Sequence, residues 1–311
     1  MRKKLFAEMG YNMERGQNYN RMKSRARKRL RRRRFRLRML RLAIIIVAFS
    51  LVIVVFRKFK EGEGSFPAAD SISPLKKEDD TPVYFTDDLS IQLQQLAKED
   101  AELNTILHNR GEYPDEILNL LLNNIETKQF VLDYPEKKDK EADMDLSGDS
   151  KDGEVPLFLQ WDERWGYLRY DSQMMATNGC GPACLSMVAV KVLGDSSMNP
   201  YWMAQYSEKN GYVENNATLW SFMSEGARAL GLDVTEIPLD EKRVADNLNV
   251  GNPVICIMGP GDFTTSGHFI VLTGYSDGMV TVNDPNSISR SEKQWSFKEI
   301  AGQIRNLWVY R

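Results

Sequence analysis

Asn178-Gly179-Cys180-Gly181-Pro182-Ala183-Cys184-Leu185-Ser186-Met187 is the stretch on which the fold turns. A cysteine lies between two glycines, and a proline and a helix-like run follow. Proline is tolerated in the first turn of a helix, and glycine allows a tight approach. The pattern therefore puts Cys180 at or just before a helix N-terminus. There the helix dipole favours an anion and lowers a thiol's pKa. A thiolate is the form that attacks carbonyls, so a cysteine nucleophile belongs at this position.

Working outward, helical signals cover 182–193, 200–209, 217–230 and 240–248, and Ser296-x-x-Glu299 reads as a capping box opening a last helix. Strand signals cover 232–236, 253–258, 268–275, 279–283 and 306–310. Helices come first and strands dominate later, which predicts an α+β domain over 155–311, large enough to bury a proper core.

A cysteine nucleophile needs a base. The chain has two histidines, His108 and His268. His108 falls in a separate helical segment, which leaves His268, in Ser266-Gly267-His268-Phe269-Ile270-Val271-Leu272. Asp284, in Val282-Asn283-Asp284-Pro285, is the candidate orienter, although Asp-Pro is also a turn former. A three-residue loop at Ser276-Asp277-Gly278 would set Asp284 diagonal to His268 on one face of the sheet. A two-residue loop at Asp277-Gly278 would set them on opposite faces. A Cys-His-Asp set therefore requires an odd-length turn or a bulge. An oxyanion also needs a donor besides the Cys180 backbone N–H. Gln160, in Leu159-Gln160-Trp161-Asp162-Glu163-Arg164-Trp165, ends a short apolar run and is the first candidate; Gln173 is its rival.

These motifs in this order resemble the bacteriocin-processing type of papain-like cysteine peptidases, whose transporter-fused members cleave double-glycine leader peptides. The resemblance covers 155–311. It rests on Gln160-Trp161-Asp162-x-x-Trp165, on Asn178-Gly179-Cys180-Gly181-Pro182, on Gly267-His268-Phe269 and on Asp284-Pro285. It implies a papain-like fold with an antiparallel sheet and an N-terminal nucleophile helix. It also implies Cys180 as nucleophile, His268 as general base and acid, Asp284 as its orienter and Gln160 as oxyanion donor. This chain differs from the transporter-fused members in having no G-x-x-x-x-G-K-[ST] motif and no multi-span region.

The N-terminal part reads differently. Residues 1–58 hold 19 Lys/Arg against 2 Asp/Glu, and 59–311 hold 22 against 41, so a basic tail joins an acidic body. Leu42 to Phe56 carry no charge. The run is short for a spanning helix, but Arg38, Arg41, Arg57 and Lys58 can snorkel and lengthen it. A cleaved signal is the competing reading, set against by the long stretch before the apolar run and by the lack of a prompt A-x-A-like site. Lys/Arg-rich flanks stay cytoplasmic. The organisation expected is a cytoplasmic tail over 1–41, a single transmembrane helix over 42–57, a linker over 58–87, a helical pad or stalk over 88–135, a charged linker over 136–154 and an extracytoplasmic peptidase-like domain over 155–311. The expected partners are a peptide or protein substrate, the lipid bilayer through 42–57 and anionic head groups through the basic tail. Nucleic acid is not expected, and nothing in the sequence calls for a metal or cofactor. Asp143, Asp145, Ser147, Gly148 and Glu154 match part of a calcium loop, but Ser150 and Val155-Pro156 break the pattern.

The chain has three cysteines, an odd number, which leaves a free thiol. Cys184, one turn after Cys180, and Cys256, inside Val254-Ile255-Cys256-Ile257, read as core, as do Trp161, Trp165, Trp202 and Trp220. The function expected is a membrane-tethered thiol hydrolase of peptide bonds. An acyl transferase with the same three residues, or a non-enzymatic envelope module on a peptidase-like fold, are the alternatives.

Overall fold

Val254–Met258 has five buried residues in succession. Such a strand needs both faces of its sheet covered. The computed structural model describes residues 75–76, 82–83, 87–146, 148–149 and 153–311. In it this strand lies inside a six-stranded antiparallel sheet. The strands are β1 (Val234–Glu236), β2 (Val254–Met258), β3 (His268–Ser276), β4 (Met279–Asn283), β5 (Trp295–Ser296) and β6 (Ile304–Tyr310), in the spatial order β5-β4-β3-β2-β6-β1. Ile255, Ile257, Phe269, Val271 and Trp308 belong to one apolar layer, and Val254, Cys256, Ile270 and Leu272 to the other. That alternation is the two-residue period of a strand.

Most of the helices come before the sheet. In chain order the longer ones are α1 (Asp88–Leu96), α2 (Leu103–His108), α3 (Asp115–Asn123), α4 (Lys128–Leu132), α5 (Cys180–Leu193), α6 (Pro200–Lys209) and α7 (Glu241–Leu248). Helix α5 is buried from Gly181 to Val190 without a solvent face, because α6 and the sheet enclose it. Helix α7 is amphipathic and covers the opposite face of the sheet with Val244 and Leu248. The architecture is α+β, with helices early and an antiparallel sheet late. The helix predicted over 217–230 is interrupted: Ala217–Thr218 forms a small hairpin with Val213–Glu214, and Phe222–Gly226 is π-helical. Ser296 stands at a helix N-cap but makes no side-chain capping bond; it also belongs to edge strand β5, paired with Met279.

Helices α1 to α4 do not stand apart from the domain. Their apolar core is shared with Tyr167, Met174 and Ala176. Phe130 stacks on Tyr167 with centroids 4.1 Å apart, and the Tyr167 hydroxyl donates to the Phe130 carbonyl at 2.8 Å. In the charged stretch that follows, Arg164 pairs with Asp149 at 2.6 Å and donates to the Asp145 carbonyl at 3.0 Å. The predicted 42–57 span and the basic tail lie outside the described residues. Among the described residues no helix is long and apolar enough to cross a membrane.

The β3–β4 hairpin decides where Asp284 goes. Ser276 pairs with Met279, so the turn has two residues, Asp277 and Gly278, at φ 50° and 82°. Both lie in the left-handed region that a type I′ turn requires. By parity alone, this turn would put His268 and Asp284 on opposite faces. The ladder then slips: Thr281 pairs with Gly274, but Val282 pairs with Leu272. Thr273 is the extra residue of a β-bulge, which changes the phase of everything beyond it. Asn283 therefore pairs with Val271, and the same register sets Asp284 opposite Ile270, diagonal to His268.

Candidate active site

Cys180 is the first residue of α5, with Gly179 as its N-cap. The N–H groups of a first turn have no partner within the helix, so the thiol sits at the positive end of the dipole. The glycines here are required by close packing. A Cβ on Gly181 would meet the Thr218 side chain at 2.6 Å, and one on Gly179 would collide with the Met175 carbonyl. Thr218 is fixed by the buried Tyr170 hydroxyl at 2.9 Å, which also bonds Ser207 at 2.8 Å. Gly181→Ala is therefore expected to destabilise the protein by about 1–3 kcal/mol through overpacking. Chemical denaturation checks this, and an unchanged midpoint would mean that the Thr218 contact yields freely.

His268 opens β3 and is buried. Its Nε2 lies 2.7 Å from Asp284 Oδ1, which leaves Nδ1 for Cys180, the residue beside it in the cleft. Burial alone lowers the histidine's pKa, but the Asp284 charge and hydrogen bond, together with Cys180, push it up to about 10. Burial raises the Cys180 thiol, and the His268 hydrogen bond and charge more than offset it, so the thiol ends below its ordinary value. The two shifts are one effect seen from each partner. A proton shared between thiol and imidazole rests on the imidazole.

Asp284 is fully buried, which by itself disfavours its charge; His268 and Arg290 hold the carboxyl below the usual carboxylate range. Arg290 Nε lies 2.6 Å from Oδ2, and the Asn286 N–H donates to Oδ1 at 2.8 Å. The last contact is an Asx-turn, so Asp284 both forms the turn and holds the histidine.

Gln160 is buried and lines the same cleft as Cys180. Its Nε2 donates to the Ala176 carbonyl at 2.7 Å. A carbonyl facing a carbonyl would repel, so this contact orients the amide. One N–H is engaged and a second remains for the cleft. The Gln160 backbone N–H donates to the Pro285 carbonyl at 2.7 Å, which ties this segment to the Asp284 turn. Gln173 also borders the cleft.

The cleft has a volume of about 760 Å³ and also borders Thr218, Trp220, His268 and Arg290. Trp220 departs from the core reading: it is 49% exposed and packs edge-on against Trp308 at 6.0 Å. Trp165 is fully buried. Cys184 and Cys256 are buried free thiols, and burial raises both above the ordinary thiol range. His108 lies on α2 with Nδ1 2.6 Å from the Asn104 carbonyl, outside the cleft. Among the described residues no group of His, Cys, Asp and Glu is placed to hold a metal. Arg290 and Asn286 were not legible as site residues. Asn286 carries the weak signal of an Asx-turn two residues after Asp284, and Arg290 carries none.

A profile of the Peptidase_C39-like family matches residues 153–311. The chain belongs to that family. It is accordingly a cysteine peptidase-like hydrolase. Among solved structures, the peptidase domain of Streptococcus ComA, a bifunctional ABC transporter involved in a quorum-sensing pathway, is similar at 24% identity and a TM-score of 0.35, over 43% of this chain and 90% of that one. A C39-like peptidase from Bacillus anthracis is similar at 16% identity and a TM-score of 0.35, over 51% and 95%. No curated protein matches the chain.

Proposed function

We propose that this C39-like chain is a membrane-tethered, extracytoplasmic peptidase that cleaves peptide bonds through Cys180, His268 and Asp284. One observation carries the reading: the helix-terminal Cys180 and His268 line one open cleft, and His268 is hydrogen-bonded to a buried Asp284. The Cys180 thiolate attacks the scissile carbonyl carbon, and the carbonyl electron pair moves onto oxygen. The backbone N–H of Cys180 and the second N–H of Gln160 hold that oxyanion. His268 gives its proton to the departing amine, leaving a thioester. Water then attacks the thioester and loses a proton to His268, and collapse expels the thiolate with the free acid. Asp284 keeps Nε2 protonated, so that Nδ1 faces the sulfur. The tether and the side of the membrane rest on the apolar 42–57 run and the arginine-rich stretch before it.

The test is labelling of intact cells that express the full chain with a membrane-impermeant thiol-directed acyl-enzyme probe. Labelling that maps to Cys180 and vanishes in Cys180→Ala is expected. Labelling only after lysis would overturn the location, and no labelling of either sample would overturn the thiolate chemistry. Product masses with added amine separate hydrolysis from acyl transfer.

A further inference from the structure

The family match begins at residue 153, yet helix α3, thirty residues and more before it, grips both walls of the cleft. Near its start, Glu116 Oε1 accepts from the Met174 N–H and from Thr177 Oγ1, both at 2.6 Å. That gripped segment, a short helix over Met175–Asn178, runs directly into Cys180, and its Ala176 carbonyl is the one that orients Gln160. Just beyond the other end of α3, Glu126 accepts from Ser287 Oγ at 2.7 Å, the Ile288 N–H at 2.6 Å and Ser289 Oγ at 2.5 Å. Beside it, Asn124 Nδ2 donates to the Asn286 carbonyl at 2.6 Å. This second gripped loop carries Asn286 and Arg290, the two residues that hold Asp284. Between the grips, Asn123 borders the cleft itself.

We propose that the 88–132 segment is a working part of the active site, in which Glu116 and Glu126 are positioning residues for the segment that leads into Cys180 and for the Asp284 loop. The proposal rests on Cys180, His268 and Asp284 being the reacting set. Glu126 gathers side-chain and backbone donors from three consecutive residues, and its carboxyl is kept charged by them despite partial burial. Without it those donors lose their acceptor, and the loop is held by fewer bonds, chiefly those of Asn124 and Gln160 to it. Arg290 and Asn286 would then hold Asp284 less well, and the imidazolium that lowers the Cys180 thiol would be weakened. Glu116 acts on the other wall in the same way.

The test uses the full chain and iodoacetamide, with the alkylation rate of Cys180 read against pH and thermal stability read beside it. Glu126→Ala is expected to move the thiolate midpoint upward by about half to one pH unit and to slow alkylation at pH 7 by about three- to tenfold. Glu126→Gln keeps one acceptor oxygen and is expected to shift less. Ser287→Ala removes one of the same bonds from the other side, in the same direction, and serves where Glu126→Ala does not fold. Glu102→Gln is the control: that carboxylate pairs with Lys128 at 2.6 Å within the segment, so the midpoint is expected to stay. A wild-type midpoint in Glu126→Ala, or an equal shift in Glu102→Gln, overturns the positioning role. A wild-type Cys180 that titrates like a free thiol overturns the reacting set itself, and with it the proposal.

Discussion

Cys180→Ala is expected to abolish peptide hydrolysis, with kcat lower by about 10⁴-fold or more, the scale seen when a nucleophile is removed from a set that acts as a unit. The other cysteine nearby cannot replace it. Cys184 sits one turn further along α5, is fully buried, and has its thiol raised well above the ordinary range. Cys180→Ser is expected to fail as well. His268 can stabilise a thiolate, but a hydroxyl ionises at far higher pH, so the resting ion pair is lost. The effect should fall on chemistry and not on folding, because the Cys180 side chain stands at the cleft wall. Product mass after long incubation is the measurement. Residual turnover above about 1% of wild type, set against that 10⁴-fold expectation, would remove Cys180 from the mechanism.

Asp284→Asn is expected to be the next most damaging change, for two separable reasons. An amide can donate to His268 Nε2, which turns the imidazole to the wrong tautomer, an error of about 10⁴-fold in rate at a comparable site. It also breaks the pair with Arg290, whose Nε lies 2.6 Å from Asp284 Oδ2 with Asp284 fully buried. Removing one partner of a buried pair costs about 3 kcal/mol. The pH dependence follows from the direction of the shift. The Asp284 pKa is lower folded than the ordinary carboxyl value of 3.8. Its contribution is therefore present above that value and lost as pH falls through the folded one. The stability gap between wild type and Asp284→Asn, measured by denaturant titration, is expected to be full at pH 7 and to narrow below pH 3.8. A gap that stays constant into acid would mean that the charge on Asp284 is not what stabilises the fold.

The elements themselves were largely legible. The strand read over 279–283 is β4 itself, and those read over 253–258 and 268–275 differ from β2 and β3 by one residue. The helix read from 182 begins at Cys180. Apolar patterning is a local property: Val254–Met258 is a continuous apolar run because both its faces are buried, and Met279–Asn283 alternates because one of its faces is open. The two-residue edge strand Trp295–Ser296 was not legible, since two residues carry no period. Ser296 was read as opening the last helix and does stand at its N-cap, but it makes no side-chain capping bond and also pairs in the sheet edge.

The site divides along the same line. Residue types alone determined that Cys180 stands at a helix start and that His268 is the histidine within reach of it, because a glycine-flanked cysteine before Pro182 and a scarcity of histidines leave little else. Whether Asp284 could meet His268 was a question of parity, and only the bulge at Thr273 answered it. A single extra residue in a ladder reverses the face of all that follows, and no residue type announces it. The grips of Glu116 on 174–177 and of Glu126 on 287–289 lie further still from anything a sequence displays. They join residues 58 to 163 positions apart. Hydrogen bonds at such separations have no spacing rule, so only the folded chain could bring those carboxylates to the two walls of the cleft.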